Sequence, residues 1–413
     1  MGVMQRVRKA WKPYGVVALW LMMLSLAALP IFLQRGCRLV ELSRLGSAGG
    51  LETRTMRGLW VTRWDYRTED DIRRIMREAS ANAFTDLFWQ VRGQADAFYV
   101  SGKEVWGEQL LANGRPPTFD PLTVAVREAH ARGIRIHAWA NVMPLWKGTQ
   151  PPQDRGHIYY THPEWRLRDQ SGKEQALNEG YVIVNPVLDE VQAHIASVFG
   201  DIARRYDVDA IHMDYVRFVA ESVGEGLWPG DEQSLREFYR DTGRSAVRTR
   251  EDREAHAAWV RGKITALVKQ IRREVKGARP GIELSAAVWR RPDLGSDTYL
   301  QDAGDWLRTG LIDRALPMIY TDKDDQLMSD ITAWLDVSTG APVTPGIGVY
   351  KHEDPDQTIR QILMVDGADG YSLFGYASLF ESVDPTQDKS PAQVELRRKR
   401  RDRVGELQRA TGR

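Results

Sequence analysis

The stretch Ala129-His-Ala-Arg-Gly-Ile-Arg-Ile-His-Ala-Trp-Ala-Asn141 decides how the chain is read. Gly133 stops a helix that opens at Asp120-Pro121, an N-cap with proline at the first helical position. Directly after it, Ile134 to Ala140 reads as a strand, with His137, Trp139 and Asn141 on one face by two-residue alternation. Helix, glycine and strand make part of a βα repeat, and the rhythm extends both ways. Upstream lie a strand at Leu59 to Trp64, a helix opened by Thr68-Glu-Asp-Asp71, and a strand at Thr85 to Val91. Downstream, strands are expected at Ala210 to Tyr215, Ile282 to Val288, Ala315 to Tyr320, Val343 to Val349 and Gly370 to Phe374. Helical stretches separate them, at Val187 to Tyr206, Asp231 to Lys276, Gly304 to Thr309, Asp325 to Val337 and Asp356 to Val365. Eight such strands predict an α/β fold, a (β/α)8 TIM barrel over residues 57–383 with long βα-loop insertions. One insertion runs to Phe119 and another covers about Asn141 to Gly180; Tyr181 to Val184 is a short strand of the barrel or of a loop. Residues 384–413 read as a charged tail whose basic run, Arg397 to Arg401, has the pattern of a solvated helix face.

A formal net charge of +1 argues against a nucleic-acid partner, because neutralising phosphates takes a marked excess of Lys and Arg. The single cysteine, Cys37, excludes an internal disulfide framework and a cysteine-rich metal site. Trp and Tyr, 14 each, outnumber the 10 Phe, which suits both sugar stacking and core packing.

The N-terminus carries its own signal. Pro13 to Gln34 holds no charge, which is enough apolar length to cross about 30 Å of hydrocarbon. Arg6, Arg8, Lys9 and Lys12 precede it, so the positive-inside rule keeps residues 1–12 cytoplasmic and sends the barrel outward. The expectation is a transmembrane signal-anchor at 13–34, a tether at 35–56, and a single-pass protein of the cytoplasmic membrane with its barrel on the extracytoplasmic side. The alternative is secretion after signal cleavage near Ser47-Ala48-Gly49. Protein partners are not readable.

In a TIM barrel the chemistry sits at the C-terminal ends of the strands. Those ends carry Asp65, then Arg92 and Asp96, then His137, Trp139 and Asn141. Further along come Asn185, then His212, Asp214 and Arg217, then Trp289, Tyr320, Asp322 and Tyr350. Acids, amides, guanidinium groups and aromatic faces on one rim suit a carbohydrate. Asp214 is the leading catalytic candidate, since it follows Ala210-Ile211 and shares its face with His212. A structural ion pair with Arg217 or Arg92 is its alternative role. Glycoside hydrolysis uses two carboxyl groups, about 5 Å or about 6.5–9.5 Å apart; Asp322 is the first choice of partner, then Asp65 and Asp96. No third histidine joins His137 and His212, so neither a metal nor another cofactor is expected. No Gly-x-Ser-x-Gly elbow or phosphate-cradling glycine loop is present.

These motifs resemble the bacterial glycosyl hydrolase-like 10 barrels, which are distinct from the family 10 xylanases. The matching segments include Arg57-Gly-Leu-Trp-Val-Thr62, Phe88-Trp-Gln-Val-Arg-Gly-Gln-Ala-Asp-Ala-Phe-Tyr99 and the stretch quoted first. Phe119-Asp-Pro-Leu122, His162-Pro-Glu-Trp165, Asn185-Pro186 and Tyr206-Asp-Val-Asp-Ala-Ile-His-Met-Asp-Tyr215 keep the family's order. Ala287-Val-Trp-Arg290, Asp305-Trp-Leu-Arg-Thr-Gly-Leu-Ile-Asp313 and Leu316-Pro-Met-Ile-Tyr320 complete the series. The resemblance implies a TIM barrel working on cell-surface or extracellular polysaccharide, with peptidoglycan glycan strands as substrates of some members. Members commonly carry a second acid directly after the one matched by Asp214, where this chain has Tyr215. Asp214-Tyr-Val-Arg-Phe218 looks like a related group of glycosidase barrels.

The expected function is therefore glycoside hydrolysis of a carbohydrate polymer. Asp214 would supply acid or nucleophile chemistry, with Asp322 or Asp65 as second carboxylate. Arg92, Asn141, Asn185 and His212 would orient hydroxyls, and Trp139, Trp289, Tyr320 and Tyr350 would face the rings; Asp96, His137 and Arg217 complete the binding set. The alternative is a non-catalytic glycan-binding barrel tethered to the membrane. A polysaccharide deacetylase is disfavoured, because its histidine-based metal site is missing.

Overall fold

The computed structural model describes residues 55–219, 226–365 and 367–411. The segments read as cytoplasmic N-terminus, membrane anchor and most of the tether lie outside them. No helix among the described residues is long and apolar enough to cross a membrane.

The first barrel strand, β1, is Met56–Val61, and helix α1 covers Glu69–Ala81. Thr68 caps α1 reciprocally with Asp71, and Glu69, Asp70 and Asp71 set negative charge against its N-terminal dipole. β2 is Asp86–Arg92, α2 is Pro121–His130 and β3 is Arg135–Asn141. Asp120 caps α2 through the Leu122 amide, with Pro121 in the first turn. A hairpin of β4 (Pro144–Lys147) and β5 (Tyr181–Ile183) then stands apart from the barrel, with the short helix α3 (Ile158–Thr161) between its strands. Tyr181 to Val184 thus belongs to a loop.

The chain continues with α4 (Asp189–Arg205), β6 (Ala210–Asp214), α5 (Glu232–Thr242) and α6 (Arg250–Ala278). Gly243, at φ 71°, ends α5, so the expected long helical stretch is two helices. β7 (Glu283–Val288), α7 (Pro292–Tyr299), α8 (Ala303–Arg308) and β8 (Arg314–Ile319) follow. The last part holds α9 (Asp324–Ser338), β9 (Gly346–Gly348), α10 (Pro355–Met364), β10 (Gly370–Phe374) and α11 (Pro391–Thr411).

The barrel is closed and its neighbouring strands are parallel, in the order β1, β10, β9, β8, β7, β6, β3, β2. Its interior is unusually aromatic. Trp60 stacks on Phe88 at 4.6 Å and meets Trp139 edge-on at 4.9 Å, an arrangement the ring quadrupoles favour. A Cβ on Gly58 would come within 2.8 Å of the Phe88 ring, so only glycine lets β1 and β2 close around these rings. Outside the strands, a larger apolar core binds the helices to the barrel. α11 belongs to that outer layer: Arg397, Arg400 and Val404 are buried, and Gln408 donates to the Tyr371 hydroxyl at 2.7 Å. The segment read as a charged tail is in large part a docked helix.

Candidate active site

At the C-terminal ends of the strands the barrel opens into a cavity of about 260 Å³. Asp214, the last residue of β6, lines it together with Trp139 and Asn141 from β3 and Tyr320 directly after β8. The register β3 Asn141 ↔ β6 Asp214 sets the amide and the carboxylate side by side. The indole N–H of Trp139 donates to Asn141 Oδ1 at 3.1 Å, and Asn141 Nδ2 donates to the Gly93 carbonyl at 2.8 Å. Trp139 and Asn141 are thus fixed before any ligand arrives.

Asp214 is 5% exposed. Burial pushes its carboxyl up to about 6, against the lowering effects of Arg217, the Tyr215 amide and Trp139. The Tyr215 amide donates to Oδ1 at 2.6 Å. Tyr215 itself adopts φ 49°, a left-handed conformation that costs a non-glycine residue about 1–3 kcal/mol. Its ring packs edge-on against Tyr181 at 4.9 Å and lies 4.6 Å from the Arg217 guanidinium. The hairpin contributes Tyr181 to the cavity.

Tyr320 stacks on Phe374 of β10 at 5.2 Å. Burial, with the charge of Asp214 beside it, pushes its phenol well above the ordinary value, so it stays protonated. A Cβ on Gly348 would stand 2.8–3.0 Å from the Tyr320 Cβ and Cα, so β9 must have glycine there to admit this residue.

The remaining expected site residues fall into other environments. Arg92 points into a buried pairing with Glu104 at 2.6 Å and 2.8 Å, and also donates to the Asn141 and Val142 carbonyls. A register shift between Gln90 and Arg92 breaks the alternation that would have faced it into the barrel. Asn185 donates to Asp231 and Ser234 at the start of α5 and does not line the cavity. Asp65 accepts from the Thr62 amide at 2.8 Å and from Ser382 at 2.7 Å, tying the loop after β1 to the segment that follows β10; burial pushes its carboxyl up to about 6. Asp96 accepts from the Gly93 and Gln94 amides and holds the turn after β2.

Asp322 is exposed beyond β8 and does not line the cavity. His137 and His212 lie deeper in the barrel, paired with Asp86 at 2.9 Å and Ser285 at 2.8 Å. Burial, with His137 nearby, keeps His212 neutral. Arg217 lies 4.9 Å from the Trp289 ring and 5.1 Å from Tyr299, a cluster beside the cavity rather than on its wall. Tyr350 is exposed at the rim, edge-on to Tyr320 at 6.1 Å.

Trp60, Arg63 and Phe374 are among the wall residues that escaped the sequence reading, with Thr62, Tyr181 and Met318. Alternation from Trp60 through Thr62 along β1, and from Ser372 to Phe374 along β10, was the available signal for Trp60 and Phe374. Arg63 sits past the strand end, where alternation says nothing. Among the described lining residues Asp214 is the sole carboxylate.

The model of the family described as glycosyl hydrolase-like 10 matches residues 55–343. Glycosyl hydrolase DigH of Escherichia coli K12 is 27% identical over 361 residues, covering 76% of this chain and 77% of the relative. Glycosyl hydrolase YngK of Bacillus subtilis is 27% identical over 306 residues, covering 67% of this chain and 56% of the relative. The glycoside hydrolase domain of PgaB (BpsB) from Bordetella bronchiseptica superposes with a TM-score of 0.59 at 12% identity, covering 83% of this chain and 98% of that domain. The catalytic domain of β-amylase from Paenibacillus polymyxa gives 0.56 at 8% identity, covering 85% and 99%. At such identities the structural likeness speaks for the barrel fold alone.

Proposed function

The chain belongs to the glycosyl hydrolase-like 10 family, and from that premise we propose that the cavity around Asp214 hydrolyses glycosidic bonds in a cell-envelope or extracellular polysaccharide, peptidoglycan glycan strands among them. The observation that carries this reading is a buried carboxyl at a barrel mouth, raised to about 6 and walled by aromatic rings. A group so tuned is neutral in mildly acidic water and can give its proton to a departing glycosidic oxygen. Asp214 therefore acts as general acid, while a water molecule adds to the anomeric carbon as the bond to the departing oxygen breaks and gives up its proton to solvent. Trp139 and Tyr320 cover the sugar ring whose glycosidic bond is cleaved, and Asn141 with the protonated Tyr320 hydroxyl holds its oxygens. The reading further includes anchoring by residues 13–34 with the barrel outside the cytoplasmic membrane; recovery of the full chain in the soluble fraction of lysed cells would refute that part.

The pH–rate profile tests the catalytic assignment. A general acid works only while protonated, so kcat/KM for release of new reducing ends is expected to be flat below about 6 and to fall with rising pH above it, about tenfold per unit. A profile that instead falls as pH drops through about 6 would make Asp214 a nucleophile or base. A profile with no inflection there would remove it from the chemistry.

A further inference from the structure

Arg63 is a wall residue that the proposed cleavage leaves without a task. Its side chain is 2% exposed, yet among the described residues no carboxylate lies within ion-pair distance of it. Asp96 acts on it only electrostatically, across a wider gap. One terminal nitrogen donates to the Tyr181 hydroxyl at 3.2 Å, while Nε has no hydrogen-bond partner. The guanidinium lies across the Gly93 backbone, where a Cβ would meet Cδ, Nε and Cζ at 2.7–2.8 Å, and it is 4.9 Å from the Trp64 ring. Burying a guanidinium with unspent donors is costly, and proteins normally satisfy such groups. Its planar fork matches the two oxygens of a carboxylate. Asp214 supplies proton transfer from the same cavity, which leaves the positive charge of Arg63 free for recognition.

We propose that Arg63 recognises a carboxylate carried by the sugar bound in this cavity, so that the polymer cleaved here is an acidic one. The inference rests on the glycosidase reading of the site and names its substrate class. Two sources share this chemistry: a carboxyl at C6, as in a uronic acid, and a carboxyl on an ether arm, as in a muramic acid. The Tyr181 hydroxyl, already held by Arg63, supplies a neighbouring O–H for the same group. The aromatic wall then takes the apolar face of the ring, and the carboxylate fixes which way round the sugar sits.

The test is binding by the full-length Asp214→Asn chain, which leaves the polymer uncut. Calorimetric titration would compare a muramic-acid-containing oligosaccharide with its carboxyl-reduced form, and a hyaluronan oligosaccharide with its carboxyl-reduced form. In one of the two pairs the acid is expected to bind at least about tenfold more tightly, as a charge-assisted hydrogen bond implies, and the responding pair identifies the carboxylate. Adding Arg63→Gln should bring that preference to within about threefold. Gly93→Ala should also lower it, because the new methyl displaces the guanidinium while keeping the charge; this variant serves if Arg63→Gln does not fold. Equal binding within both pairs, no binding in either, or a preference that survives both substitutions overturns the proposal. An Arg63-dependent preference in a wild-type chain that releases no reducing ends would overturn the hydrolase reading alone. Cleavage of acidic and reduced polymers at equal rates would overturn the carboxylate reading alone.

Discussion

Asparagine in place of Asp214 lowers kcat/KM for glycan cleavage by about 10²–10⁴-fold, the range that positioned proton transfer supplies, and the protein remains folded. Asparagine keeps the shape and an acceptor for the Tyr215 amide, so the loss isolates the proton. Stability separates this outcome from a structural role. The folded-state carboxyl sits near 6, above the ordinary 3.8 of an aspartate. The neutral acid therefore contributes stability that is fully present below the ordinary value and is lost as pH rises through about 6. Asp214→Asn removes that loss, so its melting temperature should exceed that of wild type at pH 8 and approach it near pH 4. An Asp214 that served mainly as an ion-pair partner of Arg217 would give the reverse, a variant less stable at pH 8. Sites that trade stability for chemistry behave in the first way.

The second large effect concerns Arg92, which the sequence placed among the substrate ligands. Burial alone would raise the Glu104 carboxyl, but Arg92 and His194 hold it down at about 2. The pair has side-chain exposures of 1% and 0%. Breaking it strands a buried charge, so Glu104→Gln should destabilise the fold by about 3–5 kcal/mol, read as a lower urea midpoint. The sign with pH follows from the lowered carboxyl. Its contribution is present above the ordinary glutamate value of 4.5 and is lost as pH falls toward about 2, so the variant should approach wild type in acid. A variant of unchanged stability and weakened glycan binding would return Arg92 to the substrate.

The contrast between Arg92 and Asp214 shows what the sequence carried. Strand and helix periodicity located the barrel strands because each is buried on both faces and closed by glycine or a capped helix. β1 begins three residues before the expected Leu59, since Met56 lies inside the barrel rather than before it. α7 was missed because Pro292–Tyr299 has little apolar periodicity. Alternation placed Asn141 and Asp214 on the cavity because β3 and β6 run without interruption to their ends. It failed at Arg92, where the ladder slips after Gln90.

Loop contributions were legible only as residue types. Tyr181 reaches the cavity through a hairpin whose pairing is non-local, and Arg63 through a turn held by Asp65 and Thr62. Asp65 and Asp96 had the right type and position for a second carboxylate. Backbone amides and hydroxyls claim them instead, a demand that residue spacing does not reveal.

We propose that this barrel mouth cuts a glycosidic bond. Incubating the full-length chain with purified envelope glycan strands and with surface polysaccharides, and titrating new reducing ends, tests it most directly. Reducing ends are expected to accumulate with wild type and to fall to background with Asp214→Asn. Polymer retained by the wild-type chain with no new ends would contradict it and leave a glycan-binding barrel.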